Sequence, residues 1–255
     1  MAEDEILWEA EDGVAWLTIN RPQARNAMNK AVRDGLWTGL RNFALDPDLQ
    51  VLVLTGAGDE AFSAGADLKE MAALGLEVPP PDFAPLLGRN LQIDKPVIAA
   101  VNGIAYAGGF CLAQMCDLCI ASENARFGVT EARWGRGAPW AAPLPWLIPP
   151  RVALELLMTA EPIDAQRAHA IGLVNRVVPL ASLRDEAARM AKTIAANAPL
   201  SVRASKALVY AAAERGLQAA YDEGDRLFET VYRSADAQEG PRAFREKRAP
   251  RWQGR

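Results

Sequence analysis

The chain has 255 residues, with 28 Lys and Arg against 32 Asp and Glu, a net charge of -4, one His and three Cys. That length allows one large domain or one domain with a helical appendage, and the slight acidic excess argues against a broad nucleic-acid-binding face or a basic membrane-lying helix. One His and three Cys give no zinc-finger spacing, and a disulfide framework would leave one thiol over, so no metal is expected and a reduced, cytoplasmic setting fits.

The opening residues Met1-Ala2-Glu3-Asp4-Glu5 are acidic where an export or transit segment would be basic and then apolar. Ile6 to Ala10 and Val14 to Ile19 are apolar and β-branched around Glu11-Asp12-Gly13, which predicts a hairpin. Asn26 is placed to cap a helix from Ala27 to Ala44, with Val32, Leu36, Leu40 and Phe43 on one face. Val51 to Leu54 reads as a buried strand. A helix after Asp67, another leading to Asp94, the strand Val97 to Val101, a helix after Gly108 and the strand Leu118 to Ala121 follow. Strands alternating with helices indicate βαβ units around a mostly parallel sheet.

From Arg151 onward strands nearly vanish. Helices are expected at Arg151 to Thr159, Asp164 to Ile171, Leu183 to Ala196, Val202 to Ala213, Gly216 to Tyr232 and Asp236 to Lys247. No stretch approaches the roughly 20 clean apolar residues of a spanning helix.

Two segments can bring backbone close to a ligand. Ala61-Phe62-Ser63-Ala64-Gly65-Ala66-Asp67-Leu68-Lys69 puts small residues directly before a helix, so the N–H of Ala66 can point into a cleft. Asn102-Gly103-Ile104-Ala105-Tyr106-Ala107-Gly108-Gly109 ends a buried strand in glycines that open a helix with unpaired N–H donors. Either both loops aim a donor at one oxygen, or they are ordinary strand-to-helix turns.

The run Phe62 to Met71, then Lys95-Pro96-Val97-Ile98-Ala99-Ala100-Val101-Asn102-Gly103, Cys116-Asp117-Leu118, Phe127-Gly128, Glu161-Pro162-Ile163-Asp164 and Ile171 to Pro179 resembles the enoyl-CoA hydratase/isomerase (crotonase) family. The resemblance implies an α/β fold, a crotonase-like spiral of ββα turns with a C-terminal helical trimerisation layer. The core would cover residues 1–195 and the helical region 196–255, as one structural unit forming a homotrimer or hexamer. It further implies acyl-CoA as substrate, in fatty-acid or related metabolism, with no cofactor beyond the substrate's own coenzyme A.

By the same resemblance Ala66 and Gly108 would hold the thioester oxygen, and Ala24, Arg25 and Ala64 would lie along the nucleotide part of coenzyme A. Asp67, Leu68 and Lys69 would sit near the thioester, while Phe244 and Lys247 would reach a neighbouring subunit's adenine and phosphate. Family hydratases carry one glutamate directly before a Leu-Ala-x-x-Cys-Asp stretch and a second shortly after Phe-Gly. Here Cys111 precedes Leu112-Ala113-Gln114-Met115-Cys116-Asp117, and only the second acid is kept, as Glu131. In the next loop, where some relatives place an acid, stands Pro139.

A lone glutamate can move a proton between two carbons, which suffices to shift a double bond, whereas adding water needs a second group. A thiol is mostly protonated at neutral pH and a poor base, so Cys111 reads either as a small buried apolar residue or as part of the acyl pocket. Trp134, Trp140 and Trp146, interleaved with Pro139, Pro143 and Pro145, either narrow the acyl pocket or pack at a subunit interface. Arg136 faces the acyl end or solvent. His169 lies far from any nucleophile and reads as structural. A binding protein of the same fold without turnover is the rival to an enzyme.

Overall fold

The computed structural model describes residues 4–75 and 77–255; residues 1–3, in the acidic start, and residue 76 lie outside it. The first hairpin pairs β1 (Ile6–Glu11) with β2 (Val14–Ile19), antiparallel, with Ile6 opposite Ile19. Helix α1 (Lys30–Leu45) follows, then β3 (Val51–Gly56) and β4 (Ala61–Ser63), then α2 (Leu68–Leu74). The pattern repeats as β5 (Val97–Val101), β6 (Ile104–Tyr106) and α3 (Gly108–Met115), and again as β7 (Leu118–Ser122) and β8 (Arg126–Gly128), ending in a short 3-10 turn at Glu131–Trp134.

Each of these repeats gives its first strand to one sheet and its second to another. The larger sheet runs β1-β2-β3-β5-β7-β10 and the smaller β4-β6-β8-β9, where β9 is Ile163–Asp164 and β10 is Arg176–Val178. β2, β3, β5, β7 and β10 pair in parallel, as do β4, β6 and β8. This is a spiral of ββα turns. Two-sided burial explains why β2, β3 and β5 are nearly continuous apolar runs rather than alternating ones. One face packs Leu17, Leu52, Leu54 and Ala99 in a core with Val32, Leu36, Leu40 and Phe43 of α1. The other packs Trp16, Val53, Ile98 and Ile120 with Leu183, Ala187 and Ala191 of a later helix.

The remaining helices are α4 (Leu144–Leu147), α5 (Pro150–Thr159), α6 (Ala165–Ala170), α7 (Leu183–Ala195), α8 (Pro199–Arg215), α9 (Leu217–Tyr232) and α10 (Ala235–Glu246). α8 and α9 pack together, and α10 packs on α9. Among the described residues no helix is long and apolar enough to cross a membrane.

Two expectations are corrected. Asn26 caps nothing: it is fully buried in a left-handed conformation, accepting from the Arg21 N–H and donating to the carbonyls of Ala57 and Ala61. Asn29 is the cap instead, its side chain accepting from the N–H of Val32, so α1 begins at Lys30. Among the described residues no helix leads to Asp94. The described residues from 77 to 96 are turns, bends and irregular chain with one bridge between Leu87 and Leu91, because Pro79-Pro80-Pro81, Pro85 and a left-handed Gly88 interrupt the apolar spacing.

Candidate active site

Ala66 sits in a single parallel bridge opposite Met28. The Met28 N–H donates to the Gly65 carbonyl (2.7 Å) and the Asp67 N–H donates to the Met28 carbonyl (3.1 Å). In such a bridge the N–H of the intervening residue, Ala66, points to the opposite side. Gly108 opens α3, so its N–H has no partner within the helix.

The two loops are packed against each other. Gly65 has a φ of +93°, and a Cβ there would lie 3.0 Å from the Gly108 nitrogen and 2.9 Å from the Cβ of Ala107. A Cβ on Gly108 would lie 3.7 Å from the Ala66 nitrogen and 2.6 Å from the Met28 methyl. Ala107, the residue before α3, is held at φ 49° and ψ -123°, a conformation L-residues rarely adopt. Its N–H donates to the Gly128 carbonyl (2.9 Å) and its carbonyl accepts from the Cys111 N–H (3.0 Å), and these bonds hold the strained turn. Two glycine-containing turns thus bring the Ala66 and Gly108 amides side by side.

Glu131 starts the 3-10 turn after β8 and is half-buried, with Oε2 lacking a partner among the described residues. Burial raises its pKa above that of an ordinary glutamate, opposed by its own N–H, the Trp140 indole N–H and the Thr130 N–H, which face the carboxylate. Cys111 is 5% exposed on the first turn of α3, and burial together with the Glu131 charge pushes its thiol up to about 12. It is neutral at neutral pH. The Arg89 charge, on the turn after Leu86, acts on the same thiol in the opposite direction.

Of the three tryptophans expected either in the acyl pocket or at an interface, Trp140 is the one that reaches Glu131. Its ring packs against Phe110 with centroids 6.0 Å apart, its carbonyl accepts from the Gln114 amide (2.8 Å), and its indole reaches Glu131. Trp134 and Trp146 instead stand exposed, at 67% and 64%. His169 bonds the Val174 carbonyl through Nδ1 at 2.8 Å, a bond that ties α6 to the chain just beyond it.

The other expected residues divide. Ala24 ends a short 3-10 helix and Arg25 follows in a left-handed conformation, 3.7 Å from Glu60, beside a groove of about 350 Å³ lined by Pro22, Gln23, Arg25 and residues 57–61. Ala64 is tied to that segment, its N–H donating to the Arg25 carbonyl (3.0 Å). Asp67 is occupied: it caps α2 by accepting from the Lys69 and Glu70 N–H groups and pairs with Arg21 at 3.1 Å. Burial opposes its ionisation, but these donors hold its carboxyl below the usual range. Leu68 and Lys69 are exposed. Phe244, 87% exposed, and Lys247, the left-handed cap of α10, lie in the C-terminal layer.

The enoyl-CoA hydratase/isomerase family profile matches residues 9–255. Carnitinyl-CoA dehydratases from Citrobacter koseri and Salmonella typhi are 40% and 39% identical over 249 residues, covering 94% of this chain and 94% of each relative. Among solved structures, an enoyl-CoA hydratase from Mycobacterium marinum superposes with a TM-score of 0.91 at 38% identity, covering 99% of this chain and 100% of that one. A probable enoyl-CoA hydratase/isomerase from Mycobacterium abscessus gives a TM-score of 0.88 at 40% identity, covering both chains fully.

Proposed function

The chain belongs to the enoyl-CoA hydratase/isomerase family, a family of acyl-CoA enzymes, and within it we propose that this protein moves the double bond of an enoyl-CoA between the 3 and 2 positions. The observation that carries the reading is that two turns bring the Ala66 and Gly108 amides together, while the half-buried carboxylate of Glu131 acts on a neutral thiol, Cys111, one turn along the helix that Gly108 opens.

The thioester carbonyl oxygen of a 3-enoyl-CoA accepts from both N–H groups. Glu131 as carboxylate removes a proton from the alpha carbon, and the C–H electrons move into the carbonyl, giving an enolate whose charge the two donors stabilise. Each donor of this kind lowers a barrier by about 3 kcal/mol. Protonated Glu131 then returns the proton to the gamma carbon as the enolate electrons re-form the carbonyl and the double bond moves to position 2. Burial suits Glu131 to both halves, since a raised pKa makes it a better acceptor and still lets it give the proton back.

The names of the curated relatives favour a second reading, reversible removal of water from a hydroxyacyl-CoA. That reaction needs a group besides Glu131 to hold the water, and Cys111 is too weakly acidic to ionise for the task. A coenzyme A carrier without turnover is the third.

The protein acts as a homo-oligomer, a trimer or hexamer, in the cytoplasm, in fatty-acid or related acyl-CoA metabolism. Exposed apolar side chains on α8 and α9, namely Val209, Leu217, Tyr221 and Tyr232, support the assembly, and three buried free cysteines support a reducing compartment. On this reading Phe244 and Lys247 reach a neighbouring subunit's coenzyme A, while Ala24, Arg25 and Ala64 border the chain's own.

Incubation with four- and six-carbon 2-enoyl-CoA and 3-enoyl-CoA in heavy water, followed by mass analysis, tests the reading. Deuterium entering carbon positions 2 and 4 without added water is expected. Net addition of water as the dominant change would replace isomerisation with hydration, and no chemical change would leave a carrier.

A further inference from the structure

The amide of Ala66 can serve as a preorganised donor only if the chain on both sides of it is fixed; buried β4 fixes the side before it, but apolar packing does not fix the side after it. No residue of the following helix, α2, is buried, and Leu68 and Leu74 stand 64% and 50% exposed. Ionic contacts hold it instead. The Glu70 carboxylate on the first turn of α2 accepts from the Arg33 guanidinium through Oε2 (2.6 Å) and from the Lys30 N–H through Oε1 (2.8 Å). The same Arg33 nitrogen donates to the Met28 carbonyl at 3.0 Å, and its guanidinium lies 4.1 Å from the centre of the Phe83 ring. Arg33 itself is only 6% exposed.

Met28 is the residue on which both donor loops rest. Its backbone brackets Ala66 through Gly65 and Asp67, and its methyl group occupies the space that a side chain on Gly108 would need. On the other side of Ala66, the Asp67 carboxylate is held by Arg21, whose Nη1 also donates to the Ala27 carbonyl at 2.6 Å. Two charged pairs, Arg21 with Asp67 and Arg33 with Glu70, therefore fasten the chain immediately after Ala66 to residues 27 and 28.

We propose that Arg33 and Glu70 are positioning residues for the oxyanion donors: the pair clamps Met28 and the start of α2 so that the Ala66 N–H stays aimed at the same point as the Gly108 N–H. The inference rests on the oxyanion role of Ala66 and Gly108. Neither Arg33 nor Glu70 touches the reacting atoms in this scheme. They act by limiting motion, and displacing a catalytic group by an ångström can cost about 100-fold in rate.

The test uses the full-length protein and crotonyl-CoA carrying ¹³C at the thioester carbonyl. Isotope-edited infrared spectra give the carbonyl frequency when bound, and steady-state rates are measured on a four- to six-carbon enoyl-CoA substrate. Wild-type protein should shift the bound carbonyl to lower frequency. Glu70→Ala should return most of that shift and lower kcat by about 10- to 100-fold while KM changes less than about threefold. Glu70→Gln, which keeps an acceptor for the Lys30 N–H and disturbs the fold least, should lie between, and Arg33→Lys should recover more of the shift than Arg33→Met.

A wild-type carbonyl with no shift would overturn the oxyanion assignment and this inference with it. A shifted wild-type carbonyl that stays unchanged in both Glu70 variants, with kcat unchanged, would overturn the inference alone. So would a loss of kcat that merely parallels a rise in KM or a loss of folded protein, with the carbonyl frequency intact.

Discussion

The Trp140 indole N–H faces the Glu131 carboxylate, and it does so from a loop that also grips α3 through the Gln114 amide. Burial raises the Glu131 pKa and this contact partly restrains the rise. Trp140→Phe keeps the packing on Phe110 and removes the donor, so the Glu131 pKa should climb further. Because the proton acceptor must be ionised, kcat falls as pH drops through that pKa. The acid limb of the pH–rate profile should therefore move to higher pH in the variant. An acid limb that stays in place would show that Trp140 does not tune Glu131.

Gly109 lets α3 lie on β4. A Cβ at that position would come within 2.0 Å of the Ser63 carbonyl oxygen, a backbone atom that cannot step aside. Gly109→Ala should thus displace the helix carrying Gly108 and Cys111, at a cost of about 1–3 kcal/mol or more, and lower activity beyond what the lost stability explains. Thermal unfolding together with the specific activity of the folded fraction measures both.

Much of the candidate site was legible in the sequence because it depends on local backbone requirements. Gly65 with positive φ, and glycines at the start of α3, announce close approaches whatever surrounds them. What could not be read joins residues far apart in the chain: the indole of Trp140 on Glu131, and Arg33 on Glu70. The same limit explains the fold corrections. Asn26 and Asn29 are equally good caps locally, and only the carbonyls of Ala57 and Ala61 recruit the first into the core. Residues Phe83, Leu86, Leu87 and Leu91 have helical spacing, but prolines and Gly88 turn the backbone, and Leu87 bridges Leu91 instead. β9 and β10, of two and three residues, are too short to show a period of their own, although β10 completes the larger sheet.

The exposed apolar side chains of α8 and α9 should be covered in solution. Analytical ultracentrifugation at micromolar concentration is expected to show a trimer or hexamer, and Leu217→Glu with Tyr221→Glu should shift it toward monomer. A wild-type monomer at that concentration would refute the assembly.

Cys111→Glu supplies a second carboxylate next to Glu131. It should raise hydration relative to isomerisation, measured as the product ratio from one 2-enoyl-CoA. The new acid replaces a smaller side chain at a site only 5% exposed, so the melting temperature should fall, and the two acids should titrate as a coupled pair with one step raised. An unchanged product ratio in a folded variant would mean that water cannot reach this position.

Glu131→Gln tests the chemistry most directly. With acyl-CoA affinity measured by calorimetry and turnover measured on the same preparation, affinity should stay nearly intact while turnover falls by about two to four orders of magnitude, the usual weight of a general acid/base. The variant should also be at least as stable as the wild type above the raised Glu131 pKa. A buried carboxyl whose pKa is raised on folding stabilises the protein only while protonated, and loses that contribution as pH rises through the folded value. Turnover that survives Glu131→Gln unchanged, in a protein that still binds acyl-CoA, would contradict Glu131 as the proton carrier.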